Sequence, residues 1–243
     1  MAIYASIDQG NTATKLTLRD SEGRLVERLA GKGLTAADIA VVLERHAPIA
    51  GAIYCAVRPR IEEHWQALLR VCPGAIELTH DTPLPLRLHY TTPRTLGLDR
   101  IAAAAGALAA YPGRRCLVVD IGTAVTYDIA GPDAAFYGGN IAPGVGMRLR
   151  ALHTYTACLP QVAVDGPMTT PGDSTETAMR CGAVYGIVGE IAYYRSLLPP
   201  DSIVLLTGGR ADTIAPLLPF SATVDHDLVG KGLISILHYN ENT

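Results

Sequence analysis

The stretch "IYASIDQGNTATK" (3–15) decides the fold: an apolar run stops at Asp8, turns through Gly10, Asn11 and Thr12, and resumes before Lys15. Alone, such a turn marks only the end of a strand, because Asp, Gly and Asn favour turns. The same order returns in "CLVVDIGTAVTYDIAG" (116–131), where a second apolar run ends on Asp120, Gly122 and Thr123. Set side by side without gaps, 7–14 and 119–126 share Asp-x-Gly-[Asn/Thr] and a threonine three residues further on. Each copy follows an apolar strand, opens a meander and is followed by helices. The chain is expected to form two similar halves, 1–113 and 114–243, parted near "YPGRR" (111–115).

Around each turn the hydrophobic period supplies the elements. "TKLTL" (14–18) and "RLVERLA" (24–30) alternate, so together with 3–8 they predict three antiparallel strands. A helix over 35–46, a buried strand over 51–57, an amphipathic helix over 61–71 and a strand over 75–80 complete the first half. The Pro-rich segment 81–97 reads as extended loop, since proline suits neither helix interior nor central strand. An Ala-rich helix follows over 99–110. The second half predicts strands over 116–122 and 124–130, then a turn and short strand over 131–139. Helices over 145–155, 174–198, 211–218 and 228–238 follow, with a strand over 202–209.

Composition narrows the function. With 243 residues, 49% hydrophobic and a net charge of −3, the chain can bury a sizeable core and carries no basic field for nucleic acid. Its longest small-apolar run, "IAAAAGALAA" (101–110), falls short of the roughly 20 residues that span a bilayer, so no membrane partner is expected. The start "MAIYASIDQG" lacks the charged region of a signal peptide. Five cysteines without a C-x-x-C pair suit a reducing cytoplasm, and seven scattered histidines show no zinc spacing.

The Walker and Rossmann phosphate motifs are both absent. The Asp-x-Gly turns offer another route: glycine lets the backbone approach a phosphate, while Asn11 and Thr12 donate to its oxygens. Asp8 suits Mg²⁺, which takes a few carboxylates plus phosphate oxygens, and Lys15 adds positive charge. In "YTTPRTLGLDRIAAAAGA" (90–107), Asp99 reads either as a helix cap or as the acceptor of a proton from an attacking alcohol. Arg100 and the helix start offer an anion site for a substrate carboxylate. "GGNIAPG" (138–144) reads equally as a phosphate-facing loop or a tight inter-domain turn, while "LTGG" (206–209) resembles the adenosine-side loop of actin-like kinases and fits a plain strand-to-helix turn as well.

These segments, with "GGNIAPGVGMRLRAL" (138–152), "TACLPQV" (156–162) and "GDSTETAMRCGAVYG" (172–186), occur in an order that resembles the type III pantothenate kinases, an actin-like branch of the ASKHA superfamily. The resemblance runs along nearly the whole chain. It implies an α/β fold of duplicated actin-like (ribonuclease H-like) halves, each a mixed sheet with flanking helices, with a nucleotide cleft between them. It also implies ATP-dependent phosphorylation of pantothenate, the opening step of coenzyme A synthesis, in a homodimer whose interface lies in the C-terminal half. Carried over by position, Asp8, Gly10, Asn11, Thr12, Lys15 and Thr123 contact ATP, and Asp8 serves Mg²⁺ through the phosphates. Asp120 ligates a monovalent cation, K⁺ or NH₄⁺. Tyr90, Gly97, Leu98, Asp99 and Arg100 hold pantothenate, with Asp99 as proton acceptor, and Thr175 reaches it across the dimer. Two positions depart from the pattern: Gln9 stands where many members carry an aliphatic residue, and "IAAAAGA" lacks an Asn that commonly follows Gly-x-Asp-Arg. A kinase for another small alcohol or sugar, and a non-enzymatic transcription accessory protein, are the alternative readings.

Overall fold

Residues 2–242 are described by the computed structural model. β1 (Ile3–Gln9), β2 (Thr14–Asp20) and β3 (Leu25–Gly31) form the expected antiparallel meander. After α1 (Ala36–Arg45), β4 (Ile49–Ala56) lies parallel to β1; α2 (Glu62–Val71) and β5 (Ile76–Glu77) follow. The sheet order is β3-β2-β1-β4-β5. A capping box starts α1: Thr35 Oγ1 accepts from the Asp38 N–H while the Asp38 carboxylate accepts from the Thr35 N–H. Ile39, Leu43, Ala67 and Leu68 of α1 and α2 then close one sheet face over Ala5, Ile7, Leu16 and Tyr54.

The segment 75–80 is strand only at Ile76–Glu77, because a hydroxyl turn takes over the backbone: Thr79 N–H donates to Thr82 Oγ1 and Asp81 N–H to Thr79 Oγ1. A two-residue strand, β6 (Arg87–Leu88), and a short 3₁₀ turn interrupt the Pro-rich loop before α3 (Leu98–Ala110).

The second meander is β7 (Cys116–Ile121), β8 (Ala124–Gly131) and β9 (Ala135–Pro143). β9 is longer than the short strand expected: Gly138 and Gly139 lie inside it, and a Cβ on Gly139 would overlap the Tyr127 carbonyl of β8. α4 (Val145–Thr154), α5 (Thr175–Ser196), β10 (Ile203–Thr207), α6 (Ala211–Ile214) and β11 (Thr223–Val224) follow, with β10 parallel to β7. The helix expected over 211–218 is split, α6 giving way to a 3₁₀ turn at Ala215–Leu217. α5 seals this half's core with Ile187, Val188 and Ile191 against Leu117, Val119 and Tyr127.

The chain divides into two compact units. One takes the residues through Gly113, the Gly131–Tyr137 stretch and the residues from Asp227 onward; the other takes Arg114–Ala130 and Gly138–His226. α7 (Leu228–Glu241) thus joins the first unit, where it packs on α3 and β1. The Ala-rich sequence of α3 has its reason here. Ala102–Ala107 are buried, and a Cβ on Gly232 of α7 would overlap the Ala102 carbonyl, so the two helix backbones nearly touch.

Candidate active site

In the first unit the β1–β2 ladder pairs Asp8 with Lys15 and Gln9 with Thr14, leaving a four-residue turn over Gly10–Ala13. The Gly10 N–H closes it by donating to the Ala13 carbonyl at 3.0 Å, and Asn11 and Thr12 are exposed at its tip. Asp8 is buried, and Lys15 Nζ lies 3.5 Å from its Oδ2. Burial pushes the Asp8 carboxyl above its ordinary range; Lys15 pulls it down and the charge of Asp99 pushes it up again. Asp8 and Asp99 therefore sit within electrostatic reach of one another. Cys55, beside Asp8 in the β1–β4 register, feels both acids, and burial foremost holds its thiol well up.

Asp99 stands in the first turn of α3, where its Oδ1 accepts from the Arg100 N–H at 2.9 Å. Gly97 is the N-cap position and Leu98 the first helical residue, so the Gly-x-Asp-Arg motif forms the helix start. No side chain caps that start; Asp99 is inside the helix and is not its N-cap. Arg100 is buried, with its guanidinium carbon 5.9 Å from the Tyr90 ring centre and 5.7 Å from that of Phe136. Tyr90 meets Phe136 edge-on at 6.0 Å. Phe136 escaped the sequence reading because its only signal was an aromatic in a turn.

In the second unit Asp120 pairs with Thr126 and Ile121 with Val125, so this turn spans only 122–124. It is one residue shorter than its counterpart. The gapless match of Thr14 with Thr126 is therefore corrected: Lys15, not Thr14, holds the place opposite Asp8 that Thr126 holds opposite Asp120. The "LTGG" loop lies directly on this strand end. Thr207 pairs with Asp120, the Arg210 N–H donates to the Ile121 carbonyl at 3.2 Å, and Gly208, at φ +89°, has its Cβ position against Asp120 Oδ1. Arg210 then pairs with Asp165 through both carboxylate oxygens and holds that carboxyl below its usual range. A pocket of about 70 Å³ opens beside this pair, walled by Val145, Val184 and Ile214 with Arg180 at its side. Thr123 offers its carbonyl to the Gly144 N–H at 3.0 Å. Thr175 is exposed in the first turn of α5, within the Ser174–Thr177 capping box.

Residues 5–196 match the family described as type III pantothenate kinase. The chain belongs to the type III pantothenate kinase family. A type III pantothenate kinase of Phocaeicola vulgatus is 39% identical over 238 residues, 97% of this chain and 98% of its own. One of Porphyromonas gingivalis is 38% identical over 248 residues, 99% and 100% of the two chains. Two solved structures share the fold: a Baf family protein from Campylobacter jejuni, TM-score 0.61 at 23% identity over 98% of this chain and 100% of that one, and component A of the Acidaminococcus fermentans (R)-2-hydroxyglutaryl-CoA dehydratase, TM-score 0.56 at 14% identity over 98% and 97%. The fold is that of duplicated actin-like halves.

Within this type III pantothenate kinase family member, the Gln9 departure has a structural role. Its side chain points to the sheet face opposite Asp8 and is fully buried. Gln9 Nε2 donates to the Pro59 carbonyl at 2.9 Å, while Oε1 accepts from the Ile61 N–H at 2.9 Å and from the Tyr54 hydroxyl. The amide pins the end of β1, just before the Gly10–Ala13 turn, to the 57–61 loop. The missing Asn after Gly-x-Asp-Arg is likewise explained by packing, since that stretch of α3 is buried.

Proposed function

We propose that this chain transfers the γ-phosphoryl group of ATP to the primary hydroxyl of pantothenate, giving 4'-phosphopantothenate for coenzyme A synthesis. The observation that carries the reading is Asp99, set in the first turn of α3 beside buried Arg100 and within electrostatic reach of Asp8. Asp99 accepts the hydroxyl proton, a transfer that can come late in a loose transition state. Tyr90 and Arg100 hold the substrate, the guanidinium meeting its carboxylate. Gly97 and Leu98 shape the helix start beneath it.

Gly10, Asn11 and Thr12 donate to the nucleotide phosphates, with Lys15 adding charge, while Thr123 contacts ATP from the second turn. A phosphate-borne Mg²⁺ fits Asp8. Burial leaves that carboxylate poorly solvated even with Lys15 beside it, and among the described residues no group of three or more His, Cys, Asp and Glu could hold a metal unaided. The ion would bring most of its ligands with it, as Mg²⁺ on a triphosphate does, and would neutralise charge on the transferred group. Asp120, half-buried with its Oδ1 against Gly208, suits a monovalent cation. The exposed side of α5 suits a homodimer in which Thr175 reaches the neighbouring substrate. Five free cysteines fit a reducing cytoplasm, and among the described residues no helix is long and apolar enough to cross a membrane.

The test is ADP release from purified protein with ATP, Mg²⁺ and K⁺, with and without pantothenate. Pantothenate-dependent release is expected. Release with a different alcohol alone would shift the reading to another actin-like kinase, and no nucleotide binding at all would turn it toward a non-enzymatic role.

A further inference from the structure

Pro143 and Gly144 run directly behind the Gly122–Thr123 turn. Besides the bond from the Gly144 N–H to the Thr123 carbonyl, a Cβ on Gly144 would overlap the Gly122 carbonyl and stand 2.6 Å from the Thr123 oxygen. Because a peptide is planar, holding the Thr123 carbonyl fixes the plane of the Thr123–Ala124 peptide. Alongside the Gly208–Arg210 loop, the seating of that turn therefore depends on what holds Pro143 and Gly144.

One side chain does so. Arg148, on the first turns of α4, donates from Nε to the Pro143 carbonyl at 2.7 Å and from Nη2 to both Glu190 oxygens at 2.7 and 2.6 Å. Its own N–H donates to the Gly144 carbonyl at 2.9 Å. Glu190, on α5, also accepts from the Tyr127 hydroxyl of β8. Burial, and then the bond to Glu190, push that phenol well up, so it remains a donor. Gly186 leaves the room: a Cβ there would stand 2.8 Å from Arg148 Nη1. β9 and α5 thus meet at the guanidinium of α4, with β8 joined through Glu190, and the guanidinium bridges a carbonyl and a carboxylate at once. A lysine ammonium lacks the rigid fork needed to do both.

We propose that Arg148, clamped by Glu190 and Tyr127, is the positioning residue that sets the Asp120–Thr123 turn for the nucleotide. This rests on the reading of that turn as an ATP contact. Arg148 itself touches no reactant in this scheme; it acts through Pro143 and Gly144.

The experiment uses full-length Arg148→Lys, Arg148→Ala and Glu190→Gln. Exchange of the Gly144 amide is followed by NMR without nucleotide, ATP affinity by calorimetry, and pantothenate KM by ADP release. In Arg148→Lys the Gly144 amide is expected to exchange at least tenfold faster. Its ATP Kd is expected to rise about tenfold, equivalent to about 1.4 kcal/mol. Pantothenate KM should move less than about twofold, and Tm should stay within about 4 °C of wild type. Millimolar guanidinium should restore ATP affinity to Arg148→Ala while leaving wild type unchanged. If Arg148→Ala does not fold, Arg148→Lys and Glu190→Gln carry the test. Unchanged Gly144 exchange overturns the proposal, as does faster exchange with unchanged ATP affinity. Wild type separates the two readings: ATP binding without pantothenate turnover sinks the proposed function alone, whereas no ATP binding by wild type overturns the positioning role too.

Discussion

Asp99 and Asp8 are two acids in one unit with different predicted consequences. Asp99→Asn keeps the shape of the helix start and removes only the proton acceptor. Turnover should fall by about 10²–10⁴-fold with ATP affinity nearly unchanged; a loss under tenfold would leave Asp99 as a structural residue of the α3 start. Asp8→Asn should separate stability from activity. Burial raises the Asp8 carboxyl above its ordinary 3.8, Lys15 opposing and Asp99 reinforcing. A raised carboxyl stabilises the fold below pH 3.8, and that contribution is lost as pH rises through the folded-state value. At neutral pH the ionised acid therefore burdens the nucleotide-free protein, and Asn relieves it. Asp8→Asn should melt above wild type at pH 7.5, by about 2–4 °C for each kcal/mol relieved, yet lose turnover. The gain should shrink toward zero as pH falls to 3.8. Equal or lower melting at pH 7.5 would mean that Lys15 fully offsets the burial.

At the scale of elements, most strands and helices were legible because the hydrophobic period changes from two to 3.6 where they change. What the period could not carry is instructive. The first turn is one residue longer than the second, a matter of ladder register that an ungapped match hides. "GGNIAPG" reads equally as a phosphate-facing loop or a tight turn, yet Gly139 lies inside β9, packed on β8, and Gly144 packs on the Gly122–Thr123 carbonyls. Arg148 and Glu190 lie 42 residues apart and carry no local signature. The Ala-rich α3 was legible as a helix, but not its reason, which is the α7 backbone against it. That contact gives a direct prediction. Gly232→Ala places a methyl where the Ala102 carbonyl already stands, so the helices must part. Overpacking of this kind costs about 1–3 kcal/mol, or roughly 2–12 °C in Tm for a chain of this size. Thermal melting of the variant checks it, with Gly230→Ala unsuited as a control because its own Cβ would press on Asp227. An unshifted Tm would mean that α3 and α7 part without cost.

For the molecule as a whole, the duplicated turns were enough to read two halves, since each sits at the end of a central strand in its own sheet. The return of α7 to the first unit was not legible, because an amphipathic terminal helix does not announce which core it completes. Assembly is the remaining level, and α5 is where it can be tested. Cys181, Val184, Ile187, Val188 and Ile191 of this helix face the core, while Ala178, Gly182, Tyr185, Gly189 and Tyr193 form an exposed stripe. Tyr193 is 60% exposed, and no neighbour would meet a Cβ on Gly182 or Gly189. A stripe of tyrosines and small residues lets a second helix approach closely and bury aromatic area at little entropic cost. If this is the homodimer face, Tyr193→Arg should convert a sedimenting dimer to monomer at micromolar concentration without lowering Tm beyond about 2–4 °C. Turnover should fall with dissociation, because Thr175, at the start of the same helix, would lose the neighbouring subunit's substrate. Wild type sedimenting as a monomer with full pantothenate turnover would remove both the dimer and the role of Thr175, whereas a dimeric Tyr193→Arg would move the interface to another face.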